Sequence, residues 1–223
     1  MEEKDYKKLV DMITETIYRE IKPKDEPSNL FSIPVEISNH HVHLTRGSLD
    51  ILYGKDYELT KLRDLSQPGE FASNEQVSII SANMKFIEKV RILGPLREYT
   101  QAELSITDGY FLGLDLPTRI SGNLKGSPPI IFMGPQGVLT LSEGAIRAAR
   151  HIHMTPENAE SYQVKNGDRV KVEVSGDHGV IYKDVVIRVS QKSKLALHLD
   201  TDEANAGNVE NKCLARIIKK FFH

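Results

Sequence analysis

The 223-residue chain has no tryptophan and a single cysteine, and none of its apolar runs approaches the ~20 residues that cross a bilayer as a helix. The lone Cys213 excludes an internal disulfide. Charge of neither sign dominates. There are 29 Lys and Arg against 31 Asp and Glu, a net charge of −2, and no basic run segregates. Without a basic face the chain has little to offer a phosphodiester backbone, so nucleic acid is excluded as a partner. The opening Met1-Glu2-Glu3-Lys4-Asp5 lacks the basic start and apolar core of a secretory signal. P-loop and Rossmann glycine patterns are missing too, which removes ATPase and dinucleotide readings. These absences predict a cytoplasmic globular protein without a membrane partner, of one large domain or two small ones.

The first turns of the chain differ from the rest. Tyr6, Leu9, Val10, Ile13, Ile17 and Ile21 recur at three- and four-residue steps, the stripe of an amphipathic helix. A polar, twice proline-interrupted linker follows from Lys22 to Asn29. Beyond it come short strand-like runs separated by Gly, Pro, Asn and Asp: 33–37, 77–80, 85–87, 90–93, 130–132, 138–141, 170–174 and 185–189. Helical stretches long enough to alternate with each strand are absent, so barrels or sandwiches are expected over a doubly wound parallel sheet. Short helices are expected after Ser48, after the Thr155-Pro156 cap pair and after Asp200-Thr201. Cys213 falls in a stretch that reads as helical, where it has a structural role.

Eight histidines are present, and two pairs stand at i, i+2, namely His41-Val42-His43 and His151-Ile152-His153. In a strand such residues share one face while the residue between them points to the other. Each pair therefore presents two imidazoles side by side, anchored by Val42 or Ile152 on the opposite face, which is half of a metal site. The plain alternative is a pair of hydrogen-bonded structural histidines. Two pairs, with His198 in a further apolar run, favour the metal. His40 faces away from its neighbour and reads as a bystander, while His178 in a Gly-Asp-His-Gly turn and the terminal His223 read as solvated. Cupin, zincin and amidohydrolase patterns fail, because no Glu follows the first pair, no H-E-x-x-H exists and a (β/α)8 barrel needs a longer, alternating chain.

The segment from Arg91 to Leu104 is dense in functional groups. Its Gly94-Pro95 turn puts Arg97 in a loop, where a guanidinium can grip phosphate or carboxylate, and Glu103 can complete a His-His-carboxylate site. An exposed arginine and a solvated acid are the plainer reading of that pair. Ser121-Gly122-Asn123 is a polar turn without metal geometry. The acids of Asp200-Thr201-Asp202-Glu203 either orient histidines or cap a helix.

Taken in order, Ile33-Pro34-Val35 with Ser38-Asn39-His40-His41-Val42-His43-Leu44, Leu65-Ser66-Gln67-Pro68-Gly69, Arg91 to Glu103, Ser121-Gly122-Asn123, Arg150 to Met154 and His198 to Ala206 resemble the phosphate propanoyltransferases. These are the PduL-type phosphotransacylases of bacterial microcompartments. The first motif usually has arginine where His40 stands. The resemblance implies a mainly β protein with two β-barrel domains, short capping helices and an N-terminal amphipathic helix. One barrel combines residues 30–39 with 149–223 and the other spans 40–148, while residues 1–29 hold the helix and linker. It implies two zinc ions per subunit and the reaction acyl-CoA + phosphate ⇌ acyl phosphate + CoA, with propanoyl-CoA or acetyl-CoA as substrate. His41, His43 and Glu103 resemble the ligands of one zinc, and His151, His153 and His198 those of the other. Arg97 matches the arginine that holds phosphate. Ser38, Arg63, Arg91, Leu93, His198 and Asn205 match positions that contact CoA. The N-terminal helix resembles peptides that target cargo to microcompartment shell proteins, and the family tends to form homodimers.

Two other classes stay open at this point. One is a zinc-dependent thioesterase or acyl hydrolase, in which hydroxide replaces phosphate and no phosphate clamp is needed. The other is a non-catalytic, zinc-stabilised shell-binding module with closed four-ligand sites.

Overall fold

Alternation of buried and exposed side chains explains most of the strands in the computed structural model, which describes residues 32–174 and 179–221. The N-terminal helix and linker, His178 and His223 lie outside the described residues. In β12 (Arg169–Val174) Val170, Val172 and Val174 point inward while Arg169, Lys171 and Glu173 do not. In β1 (Ile33–Ser38) Ile33 and Val35 are fully buried on either side of an exposed Pro34. Such period-two patterning commits one face of each strand to a core.

The chain is mainly β. The strands β1, β11 (His151–Met154), β12, β13 (Val180–Val189), β14 (Ala196–Asp200) and β15 (Leu214–Phe221) close into a six-stranded barrel in the order β1-β14-β11-β13-β12-β15. Its interior is filled by Ile33, Val35, Ile152, Met154, Val170, Val172, Val185, Ile187, Leu197 and Leu199. Each fully buried aliphatic of this kind contributes about 1.5–3 kcal/mol.

The other strands are β2 (His41–His43), β3 (Lys61–Asp64), β4 (Phe71–Ile80), β5 (Phe86–Gly94), β6 (Gln101–Glu103), β7 (Thr118–Arg119), β8 (Ile130–Met133), β9 (Val138–Leu141) and β10 (Ala145–Ala148). They form one sheet in the order β7-β10-β6-β2-β5-β4-β8-β9, with β3 paired to β4. Among the described residues β7 and β9 end this sheet without pairing to each other, so of the two expected barrels one is closed and the other is an open half-barrel. Val42, Ile79, Ile92, Ile130 and Phe132 build its core with Leu49 and Leu52.

Among the described residues, four short helices decorate the sheets. Helix α1 (Arg46–Tyr53) starts at a Thr45 cap, whose side chain accepts from the Ser48 N–H, so the helix begins before Ser48 rather than after it. Helices α3 (Pro156–Ser161) and α4 (Thr201–Ala206) start at the expected Thr155 and Asp200 caps. Helix α2 (Ile106–Leu112), capped by a Ser105–Asp108 capping box, is not among the expected ones, because its Gly109 interrupts an already short apolar pattern. The stretch around Cys213 is not helical. Cys213 closes a turn onto Glu210 and leads into β15, whose pairing with β1 and β12 outweighs local helix propensity. No helix among the described residues is long and apolar enough to cross a membrane.

The chain passes from barrel to sheet between Ser38 and His41 and returns between Ala148 and His151. Each H-x-H pair begins immediately after one of these crossings.

Candidate functional site

The two crossings deliver their histidines in the same way. His41 Nδ1 lies 2.8 Å from the Asn39 carbonyl, and His151 Nδ1 lies 2.8 Å from the Ala149 carbonyl. A carbonyl only accepts, so in both rings Nδ1 carries the hydrogen; the neutral His151 ring then leaves Nε2 bare, whereas His41 Nε2 faces the Glu103 carboxylate, whose charge and hydrogen bond outweigh burial and raise that imidazole. Val42 and Ile152 are fully buried on the opposite faces of their strands, as the spacing predicts.

Strand pairing then supplies the third member of each cluster. Within the open sheet β2 runs antiparallel to β6, setting His41 opposite Glu103 and His43 opposite Gln101. The Glu103 carboxylate lies 3.4 Å from His41 Nε2 and 3.6 Å from His43 Nε2. In the barrel, β11 runs antiparallel to β14 and sets His151 opposite His198. His151 Nε2 and His153 Nε2 are 3.0 Å apart, and the His198 ring lies 5.1 Å and 4.9 Å from the two rings. Within each trio the potential ligand atoms fall within 4.8 Å of one another.

Electrostatics suit cation binding. Burial, with the neighbouring His198 charge, pushes His151 down to about 3, and burial with the His151 charge pushes His153 down to about 2. Both rings are therefore neutral near pH 7, the form that ligates a metal. Burial alone would raise Glu103, but the charge and hydrogen bond of His41 and the hydrogen bond of His43 outweigh it and hold its carboxyl well below the usual range. His43 Nδ1 is buried without a hydrogen-bond partner, and His198 Nε2 lies 3.1 Å from Glu36 without hydrogen-bond alignment. Converging ligand atoms, a leading imidazole in each trio oriented by a carbonyl, and an N/O donor set fit zinc.

The trios share one cleft of about 760 Å³, which also receives Ser38, Arg63, Arg91, Leu93 and Arg97. Asn205 does not line that cleft and stands on the exposed side of α4. Arg91 is already engaged, donating from Nη1 to the Ser73 carbonyl at 2.7 Å. The Arg97 charge helps to lower both His43 in the open sheet and His153 in the barrel, and its side chain lines the cleft that the two trios share. Its backbone N–H donates to the Leu44 carbonyl at 2.8 Å and its Nη2 to Glu70 at 2.6 Å.

Several residues of this site escape a reading of motifs alone. Gln101, fully buried, donates to Glu103 at 2.5 Å and to Ser121 at 2.7 Å, and accepts from the Gly122 N–H at 2.8 Å. The Ser121-Gly122 turn thus holds the residue that holds Glu103. Arg188 on β13, in register with His153, brings a further guanidinium to the cleft. Glu36 joins His198, accepting a hydrogen bond from Ser66. Only the alternation within β13 hints that Arg188 faces the histidines. His40, by contrast, lies 3.3 Å from Asp108 and belongs to neither trio.

The model of the phosphate propanoyltransferase family matches residues 34–210, the whole span from the first barrel strand past α4. The chain belongs to the phosphate propanoyltransferase family. It is 45% identical to a phosphate propanoyltransferase of Thermotoga maritima over 214 residues, covering 93% of this chain and all of that protein. A phosphate propanoyltransferase of Lachnoclostridium phytofermentans is 44% identical over 200 residues, or 90% of this chain and 93% of that protein. One from Listeria monocytogenes is 46% identical over 188 residues, 84% of this chain and 88% of that protein. The matched span of this phosphate propanoyltransferase homologue contains all six histidine and glutamate positions of the two trios.

Proposed function

We propose that the chain is a zinc-dependent phosphate acyltransferase that interconverts propanoyl-CoA plus phosphate with propanoyl phosphate plus CoA, and that acetyl-CoA is also accepted. The observation that carries this reading is the meeting, in one cleft, of two three-donor trios with the Arg97 guanidinium lining the same cleft. His41, His43 and Glu103 would hold one zinc ion, and His151, His153 and His198 a second. Bound there with three protein ligands each, zinc supplies an open position for polarising the thioester carbonyl and neutralising the departing thiolate.

The chain's own groups supply position and charge. Phosphate at neutral pH is already a nucleophile, so it needs orientation and neutralisation rather than activation. Arg97, with Arg188 facing the same cleft, holds phosphate with one oxygen toward the thioester carbon. That oxygen forms the new C–O bond, the C–S bond breaks, and the electron pair leaves on sulfur as CoA thiolate, which takes a proton from water. No acyl-enzyme is required, and Cys213 does not line the cleft. Ser38, Arg63, Arg91, Leu93 and His198 line the cleft and would contact CoA there, with Arg63 and Arg91 supplying charge for its phosphates. Asn205 joins them only if CoA extends beyond the cleft onto α4.

Residues 30–39 with 149–223, and residues 40–148, serve as the enzyme's two domains in this reading. Residues 1–29, by their amphipathic pattern, serve as a targeting segment for the shell of a bacterial microcompartment, and the working unit is a homodimer. The deciding experiment measures thiol release from propanoyl-CoA and acetyl-CoA, with and without phosphate, on metal-loaded and chelator-treated protein. Release that needs both phosphate and metal, with acyl phosphate formed, is the expected result. Release without phosphate would replace this reading with a hydrolase.

A further inference from the structure

We infer that Glu70 is an exchangeable counter-ion of Arg97, a carboxylate that occupies the guanidinium until phosphate displaces it and recaptures it when acyl phosphate leaves. This rests on the reading that Arg97 takes up phosphate. Arg97 Nη2 donates to Glu70 Oε1 at 2.6 Å, a short charge-assisted bond, while its Nη1 reaches only the Tyr99 hydroxyl at 3.5 Å. Both side chains are partly open to the cleft, Arg97 at 25% and Glu70 at 31% exposure, so an anion entering from solvent can reach the pair.

The Glu70 carboxylate is not what holds its own turn. Leu65 N–H donates to the Glu70 carbonyl at 3.0 Å and Glu70 N–H to the Gln67 carbonyl at 3.1 Å. Gln67 in turn fastens the turn to the β13–β14 loop, donating to the Lys194 carbonyl at 2.9 Å and accepting from the Lys194 N–H at 3.1 Å. Backbone and amide bonds therefore fix this segment, and among the described residues the Glu70 carboxylate's hydrogen bond goes to the arginine.

Such a pair solves a problem of charge in a cleft that receives several arginines. With no anion bound, Glu70 neutralises the guanidinium and keeps it aimed at one place. Phosphate must break that bond to make its own, so Glu70 weakens phosphate binding by the strength of a partly exposed ion pair. The same competition helps to eject acyl phosphate.

The test compares wild type, Glu70→Gln, Glu70→Ala and Arg97→Ala, reading inorganic phosphate binding by calorimetry together with KM and kcat for each substrate. Removing the carboxylate should lower the Kd and KM for phosphate about two- to fivefold, the range of one partly exposed ion pair. KM for propanoyl-CoA should not move, and inhibition by acyl phosphate should tighten. Unchanged or weaker phosphate binding in both Glu70 variants, with binding lost in Arg97→Ala, would overturn the counter-ion role and leave the arginine's role standing. Unchanged phosphate binding in Arg97→Ala would overturn the arginine's role and the inference with it.

Discussion

Each trio begins with one imidazole whose Nδ1–H is spent on a carbonyl two residues back, so its orientation is set before any metal arrives. Gln101 does the equivalent for Glu103, and its amide oxygen is tied to the Gly122 N–H. Replacing Gln101 by Ala should therefore loosen Glu103 and lower zinc affinity at the His41 trio about 10–100-fold, the usual weight of a group that orients a ligand. Competition with a chelator of known affinity measures it, and the His151 trio should be unaffected. Arg97→Lys keeps the charge but loses the planar fork, and KM for phosphate should rise about tenfold with KM for propanoyl-CoA unchanged. At this scale the sequence was partly legible. Two H-x-H pairs announced themselves by spacing, Arg97, Glu103 and His198 stood out in their own segments, and the family resemblance supplied the division into two trios and the phosphate role of Arg97. Gln101, Arg188, Glu36 and Glu70 did not, because each acts through a partner brought near by strand pairing or a turn rather than by proximity in the chain.

Elements carry these residues, and two of them make predictions of their own. Gly94 ends β5 opposite Phe71 on β4, where a Cβ would stand 2.2 Å from the Phe71 ring. Gly94→Ala should displace that ring or the turn bearing Arg97, costing about 1–3 kcal/mol by overpacking, visible as a lower Tm and a raised KM for phosphate. At the other end of β4's irregular stretch, Glu75 accepts from the Thr60 hydroxyl at 2.7 Å, the Thr60 N–H at 3.1 Å and the Tyr57 hydroxyl at 3.1 Å. Burial would raise its carboxyl, but these bonds outweigh it and the group sits below its ordinary value. A depressed carboxylate contributes stability above its unfolded pKa, and that contribution fades as pH falls through the folded value. Glu75→Gln should thus cost about 1–2 kcal/mol at pH 7, and the gap to wild type should close below about pH 4 in denaturant titrations. Apolar or alternating runs revealed β1, β8, β9 and β12. They could not reveal β3, β6, β7 or β10, which are short, carry no such run and exist because a neighbour pairs with them. The same force overrode the helical look of the Cys213 region.

At the scale of the molecule, the chain crosses between sheets twice and leaves a histidine pair at each crossing, so each trio is nailed to a different sheet while both face one cleft. Crossing points are hard to read from sequence, because nothing in Asn39-His40 or Ala149-Arg150 distinguishes a change of sheet from an ordinary turn. The resemblance supplied what patterning could not. Because each trio joins strands distant in sequence, a metal bound there ties down structure that the unfolded chain cannot reproduce, and binding becomes folding stability. Zinc at a hundredfold excess over its Kd should stabilise the fold by about 2.7 kcal/mol per site. For a chain of this size that is about 5–10 °C in Tm per site. His43→Ala and His153→Ala should each remove one step and leave the other, and native mass spectrometry should count two zinc ions in wild type and one in either variant. If a single substitution emptied both trios, the sites would be one coupled centre bridging barrel and sheet, and the division of labour between two independently anchored metals would have to be abandoned.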